Sequence, residues 1–286
     1  MALAAFPHIA KQVSLSDNTT YASSWDRRHM IVRLRNTGYG VIVPDLLGYG
    51  DTDKPVELNS YAMTKMTQHI VEILDIEDVG KCIGGSAMLS MLAIYHPDRL
   101  LGVVTVTPTK SELWKTDLCP PGAARAWLKA GKTTSLPPYI TVPEYLIRQN
   151  IFSDGGYRAP LNWYKVSMRG VNAADDALIS EENKYLTLPN LFIQSTKDFA
   201  WGSETQVQKI KRWARNPRIE NLECGHWPQL EKPDELFTLI GRLRFGHQRP
   251  AQAVLAHIVG IDRATFIMSR LPIAFSDRTA AIFYVE

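Results

Sequence analysis

The sequence predicts an α/β fold: a mostly parallel sheet with helices on both faces and a helical insertion. Three observations carry that prediction. Short β-branched or apolar runs alternate with stretches whose apolar residues recur at helical spacing. The runs are apolar throughout rather than at every second residue, as in strands buried on both faces. From Thr107 to about Pro189 the rhythm gives way to a block rich in Pro, Gly, Trp and Tyr, which reads as an inserted, mainly helical unit. The resulting division is a core of residues 1–108 and 188–245, a helical insertion of 109–187, and a tail of 246–286 with no assignment.

Val41-Ile42-Val43 is the first buried strand, ended by Pro44-Asp45. Ser60 suits the N-cap of a helix whose apolar stripe is Met63, Met66, Ile70, Ile73 and Leu74. Gly84-Gly85 precede a second helix over Ala87 to Tyr95, and Leu100 to Val106 forms the next strand. Beyond the inserted block, Leu191-Phe192-Ile193 is a strand, Val207 to Ala214 a helix, and Ile219 to Leu222 a strand. A closing helix carries Leu236, Leu239, Ile240 and Leu243. Alternation of this kind supplies the crossover connections that parallel strands need.

Composition narrows the function classes. With 45% hydrophobic and 21% charged residues, the chain has enough apolar surface for a packed core and is not a disordered segment. The net charge is +3 and no Lys/Arg block appears, so no nucleic-acid partner is expected. Cys82, Cys119 and Cys224 are odd in number and widely spaced, which fits neither a disulfide framework nor a zinc site. The apolar runs, Ala251 to Ile261 among them, are too short or too polar to span a bilayer. Met1 to Ala10 lacks the basic start of a signal peptide. No glycine-rich phosphate loop of the nucleotide-binding kinds occurs. The expectation is a cytosolic protein that acts on a small molecule with no metal and no cofactor.

Three segments hold the residues that carry chemistry. Pro44 to Pro55 has glycines that let the chain turn tightly behind the first strand, and taken alone it is an ordinary strand-to-loop turn. Leu191 to Asp198 is a buried strand that delivers an acid, Asp198, at its carboxyl end. Cys224 to Pro233 begins just past the next strand, with His226 leaving it and a helix starting at Pro233. In open α/β sheets, groups at the carboxyl ends of strands converge on the binding crevice. An acid and a histidine on successive strand ends can meet there. The carboxylate would fix the imidazole tautomer and stabilise its protonated form, equipping His226 as a general base. Singly, the two read as a surface Asp and a satisfied His; together, in this order, they read as a catalytic pair.

With Tyr95-His96-Pro97-Asp98-Arg99 and Leu161-Asn162-Trp163-Tyr164 added, these segments resemble the α/β-hydrolases and, among them, the epoxide hydrolases, particularly fungal members. The resemblance runs, with breaks, over most of Trp25 to Leu243. It implies an α/β-hydrolase fold with a helical cap and cofactor-free hydrolysis of a small lipophilic epoxide to a diol. It assigns Asp198 to the charge relay, His226 to the base, and Tyr164 to a cap tyrosine whose hydroxyl polarises the epoxide oxygen. The last role is chemically sound, because ring opening leaves an alkoxide and a phenol proton on that oxygen lowers the barrier. The competing role for Tyr164 is that of a packed cap aromatic like Trp163 beside it.

The chain departs from that family at several points. Members have a buried strand ending in a His-Gly-x-Pro turn that helps build the oxyanion hole. Here Asp17 to Tyr21 leads directly into Ser23-Ser24-Trp25-Asp26, so the strand and its loop are absent. Members place a nucleophilic Asp within Gly-His-Asp-Trp-Gly; Val79-Gly80-Lys81-Cys82-Ile83-Gly84-Gly85 stands there instead. One register puts Cys82 at the nucleophile position, and the other, counted back from His96, puts Ile83 there. A thiol at that turn would lie near a helix N-terminus, where its pKa falls. Only Val79 precedes the turn as a strand residue, whereas a central strand needs about five, which argues that residues are missing. The cap lacks a segment with a second tyrosine, since only Thr107 to Ser111 precede Glu112-Leu113-Trp114-Lys115. The tail from Phe245 has no counterpart. Three readings follow: an epoxide hydrolase, a Cys82-dependent esterase or thioesterase, and a catalytically impaired relative that binds without turnover. A sheet missing an internal strand must close the gap or leave backbone groups unpaired, so low stability is expected.

Overall fold

The computed structural model describes residues 8, 10–25, 27–37, 39–84, 87–107, 120–131, 135–197, 203–242 and 254–256. An antiparallel hairpin, β1 (Gln12–Ser14) and β2 (Thr20–Ala22), comes first; its turn puts Asn18 at φ 67°, a conformation that asparagine tolerates. Then follow α1 (Arg28–Asn36), β3 (Gly40–Ile42), α2 (Met63–Ile76), β4 (Cys82–Gly84), α3 (Ala87–Tyr95) and β5 (Leu100–Thr107). The inserted block holds α4 (Ala123–Lys129), α5 (Val142–Gly155), α6 (Asn162–Met168) and α7 (Ala173–Ala177). The chain returns as β6 (Asn190–Ser195), α8 (Ser203–Trp213), β7 (Arg218–Leu222), α9 (Pro228–Glu231), α10 (Pro233–Ile240) and β8 (Val254–Ala256).

Six strands make one sheet in the order β3-β8-β4-β5-β6-β7, and every neighbouring pair is parallel. Successive strand residues point to opposite faces, and the core divides accordingly. Cys82 and Val103 pack with Met66, Ile70, Leu74, Met91 and Leu92 from α2 and α3. Their neighbours Ile83 and Val104 pack with Met30 and Leu34 of α1 and Leu236, Leu239 and Ile240 of α10. β6 is buried at all six positions, as a strand covered on both faces must be. Phe192 on this strand meets Ile210 and Trp213 of α8.

The predicted α/β architecture is present; α1 and the β1–β2 hairpin were not predicted, and the structure differs in further details. Ser60 does not cap α2: Leu58–Tyr61 form a 3-10 turn and the helix starts at Met63. The Met63 N–H donates instead to Asn172 Oδ1 in the inserted block, at 2.8 Å, so a distant side chain replaces the local cap. Cys82, Ile83 and Gly84, read from sequence as a turn, are strand because β5 and β8 pair with them on either side. The unassigned tail contributes β8, an internal strand lying between β3 and β4. The gap expected from the missing family strand is therefore filled, and the unpaired edges behind the low-stability expectation are not exposed there. Leu243 of the closing stripe lies outside the described residues. No helix among the described residues is long and apolar enough to cross a membrane.

Candidate active site

The carboxyl ends of the parallel strands form one edge of the sheet, and the segments after β3, β6 and β7 leave it there. The loop after β3 begins at Pro44 and is stitched to the hairpin. The Thr52 hydroxyl donates to Asp45 O at 2.9 Å and accepts from the Ala22 N–H at 2.9 Å. Its glycines have specific tasks. At Gly48, φ 93°, a Cβ would lie 2.8 Å from the Tyr61 hydroxyl and 3.1 Å from the Ala159 backbone, so glycine lets the inserted block approach. At Gly50, φ 52°, the space a Cβ needs holds the Asp45 carboxylate.

The inserted block seats itself on this loop. Trp163 Nε1 donates to Leu47 O at 2.7 Å and Asn162 Nδ2 to Val56 O at 3.1 Å. Both side chains are buried, while Tyr164, the next residue on α6, is half-buried. The Asn-Trp pair thus anchors the helix that bears the tyrosine.

The acid and histidine segments leave adjacent parallel strands, β6 and β7. Pairing continues past the strand ends: the Thr196 N–H donates to Leu222 O at 2.9 Å and the Lys197 N–H to Cys224 O at 3.0 Å. Lys197 Nζ and Glu223 Oε1, 2.6 Å apart, add an exposed ion pair between the same segments. Asp198 itself, one residue beyond Lys197, lies outside the described residues. Buried Cys224 donates from Sγ to Ser195 Oγ at 3.5 Å, fixing the base of the histidine loop. The Gly225 N–H donates to Glu231 Oε2 at 2.8 Å, so the first turn of α9 holds the residue preceding His226. The half-buried His226 ring stands edge-on to Trp227, centroids 4.9 Å apart.

Cys82 opens β4 and is fully buried. Burial pushes its thiol up to about 12, against the opposing influence of the Arg99 charge. A thiol held protonated inside a strand is a weak nucleophile. β4 ends at Gly84 and α3 begins at Ala87, so the strand-to-helix junction falls on Gly85 and Ser86, which lie outside the described residues. Among the described residues, no group of three or more His, Cys, Asp or Glu side chains can hold a metal ion.

Sequence reasoning passed over one link between core and insert. Arg28 of α1 donates from Nε and Nη2 to Glu144 Oε1 at 2.8 and 2.6 Å, and its guanidinium lies 3.8 Å from the centroid of the Trp25 ring. Glu144 also closes a capping box with Thr141 at the head of α5. Burial raises the Glu144 carboxyl, but hydrogen bonds from Thr141 and Arg28, with the Arg28 charge, outweigh it and hold the pKa at about 2. The Thr141/Glu144 spacing was the legible half of this signal; the arginine was not.

A family model for the alpha/beta hydrolase fold matches residues 18–233. The chain belongs to the α/β-hydrolase fold family. The chain is 23% identical over 303 residues to epoxide hydrolase srdG of Neurospora crassa, covering 83% of this chain and 87% of that one. It is 24% identical over 276 residues to bifunctional epoxide hydrolase 2 of Rattus norvegicus, covering 76% of this chain and 48% of the relative. The chain spans about half the length of the bifunctional relatives it matches. The crystal structure of epoxide hydrolase A from Mycobacterium thermoresistibile superposes with a TM-score of 0.63 at 20% identity, over 82% of this chain and 99% of that one. At that identity the likeness speaks to the fold.

Proposed function

We propose that this α/β hydrolase opens a small lipophilic epoxide to a diol in the cytosol, without a cofactor. The observation that supports the reading is the backbone pairing of Lys197 with Cys224 at the carboxyl edge of the sheet, residues that precede Asp198 by one position and His226 by two in sequence. The epoxide hydrolases among its relatives support the choice of substrate. The inserted helices serve as the cap, and the anchoring of α6 through Trp163 supports a fixed position for Tyr164.

Because neither Cys82 nor Ile83 supplies a carboxylate, the route is a single step. His226 accepts a proton from water while the water oxygen attacks one epoxide carbon. The carbon–oxygen bond breaks, and the ring oxygen takes the Tyr164 hydroxyl proton. The proton on His226 then returns to the tyrosinate, and Asp198 stabilises the transient imidazolium. Diol formation from a styrene-oxide-type epoxide tests this reading: turnover by the purified chain, abolished by His226→Gln, supports it. No diol at any pH between 5 and 9 sinks it.

A further inference from the structure

Consecutive strands in an α/β sheet joined by a crossover helix usually lie side by side. β3 and β4, joined through α2, do not. β8 separates them, with Val254, Leu255 and Ala256 opposite Gly40, Val41 and Ile42 on one side and Cys82, Ile83 and Gly84 on the other. Parallel neighbours stand about 4.8 Å apart, so β3 and β4 are held roughly 10 Å apart around a slot one strand wide. The backbone edges of both walls pair with the strand that occupies it. The occupant comes from beyond every other element of the sheet in chain order.

We infer that the slot between β3 and β4 is a two-sided strand-docking site, and that its ligand is the chain's own tail, residues 254–256, acting as a separable plug. The recognition chemistry is main-chain hydrogen bonding to two parallel walls, as in binding by strand addition, but doubled. The rest of the sheet does not depend on it in the same way. β5, β6 and β7 pair directly with one another and cover five residues at each step. β4 also pairs with β5, so removal of the plug strips β3 of its sheet neighbour and leaves β4 with one. The carboxyl end of the plug lies level with Gly84, at the point where β4 gives way to the junction before α3. Occupancy of the slot therefore fixes the last residue of that strand. The inference rests on backbone register alone and is independent of which substrate the hydrolase takes.

The test uses the full chain with a specific protease site placed between Arg242 and Val254. After cleavage, the tail should co-elute with the core in gel filtration. A labelled peptide of Pro250 to Gly260 should displace it saturably, with one peptide bound per core, and a scrambled peptide should not. Release of the tail with amide exchange at Gly40–Ile42 and Cys82–Gly84 rising tenfold or more also supports the plug. Release with exchange there unchanged overturns it. In the uncleaved chain, Leu255→Pro removes a donor from an internal strand. It should raise exchange at β3 and β4 while β6 keeps its protection, with Ser269→Pro as the control. Equal exchange in both variants and the parent chain overturns the inference.

Discussion

Arg28 and Glu144 are 116 residues apart in sequence, yet their side chains form a part-buried fork in which two guanidinium nitrogens share one carboxylate oxygen. The pair joins α1 of the core to the first turn of α5 in the inserted block. It sets the first expectation. The folded Glu144 pKa is depressed from 4.5 to about 2, so its stabilising contribution is complete above pH 4.5 and is lost as the pH falls from there toward 2. Glu144→Gln should lower stability at pH 7 by roughly 1 kcal/mol, because solvent screens the partly exposed pair. It should also flatten the acid limb of the stability curve, as read by urea unfolding between pH 2 and 7. An unchanged acid limb would mean that the pair does not hold in solution.

Asp198 and His226 are expected to act together. His226→Gln should reduce kcat on an epoxide by more than about a thousandfold, and Asp198→Asn by about a hundred- to ten-thousandfold. The double variant should cost little more than the worse single one. Steady-state kinetics on all three decides this, and fully additive losses would show that the residues work apart.

For Tyr164, the anchoring of its neighbours predicts a loss confined to chemistry. Tyr164→Phe should lower epoxide turnover by about a hundredfold, well beyond the roughly fivefold that one lost neutral hydrogen bond of about 1 kcal/mol would explain. The melting temperature should move by no more than a few degrees, because the side chain is half-buried and α6 is pinned by Trp163. Turnover unchanged in the variant assigns Tyr164 to packing.

Cys82 should be silent in the native chain. It is fully buried with a raised thiol pKa, so an epoxide or iodoacetamide at pH 8 should modify it at least about a hundredfold more slowly than in urea. Peptide mapping after a timed exposure distinguishes it from Cys224. A stoichiometric native adduct at Cys82 would restore the thiol reading.

What the sequence revealed depended on how local each signal was. β6 was legible because Leu191-Phe192-Ile193 is buried on both faces and must be apolar throughout. α2 was legible from its stripe, yet its start was misplaced, since the cap comes from Asn172, over a hundred residues away. β4 was misread because glycines at 84 and 85 signal a turn. Only pairing with β5 and β8 makes Cys82, Ile83 and Gly84 a strand. α1 was missed because its arginines mask the apolar face of Met30, Ile31 and Leu34. At the site, the strands that lead to the two catalytic candidates, β6 and β7, were legible from their apolar runs. The residues that hold the loops, Glu231 and Glu144, could not, because their partners are set by the tertiary fold.

The central position of β8 orders events during synthesis. Chains emerge from the ribosome N-terminus first, at about 5–20 residues per second. Every other strand of this sheet is therefore exposed before the one that lies between β3 and β4 has been made. For that interval the nascent chain carries open strand edges, which are templates for pairing with other chains. Closing the sheet requires contacts across more than two hundred residues of sequence, between Gly40 and Val254, the kind of pairing that slows folding most. The yield of native protein in a cell should consequently respond to holdase chaperones that shield such edges.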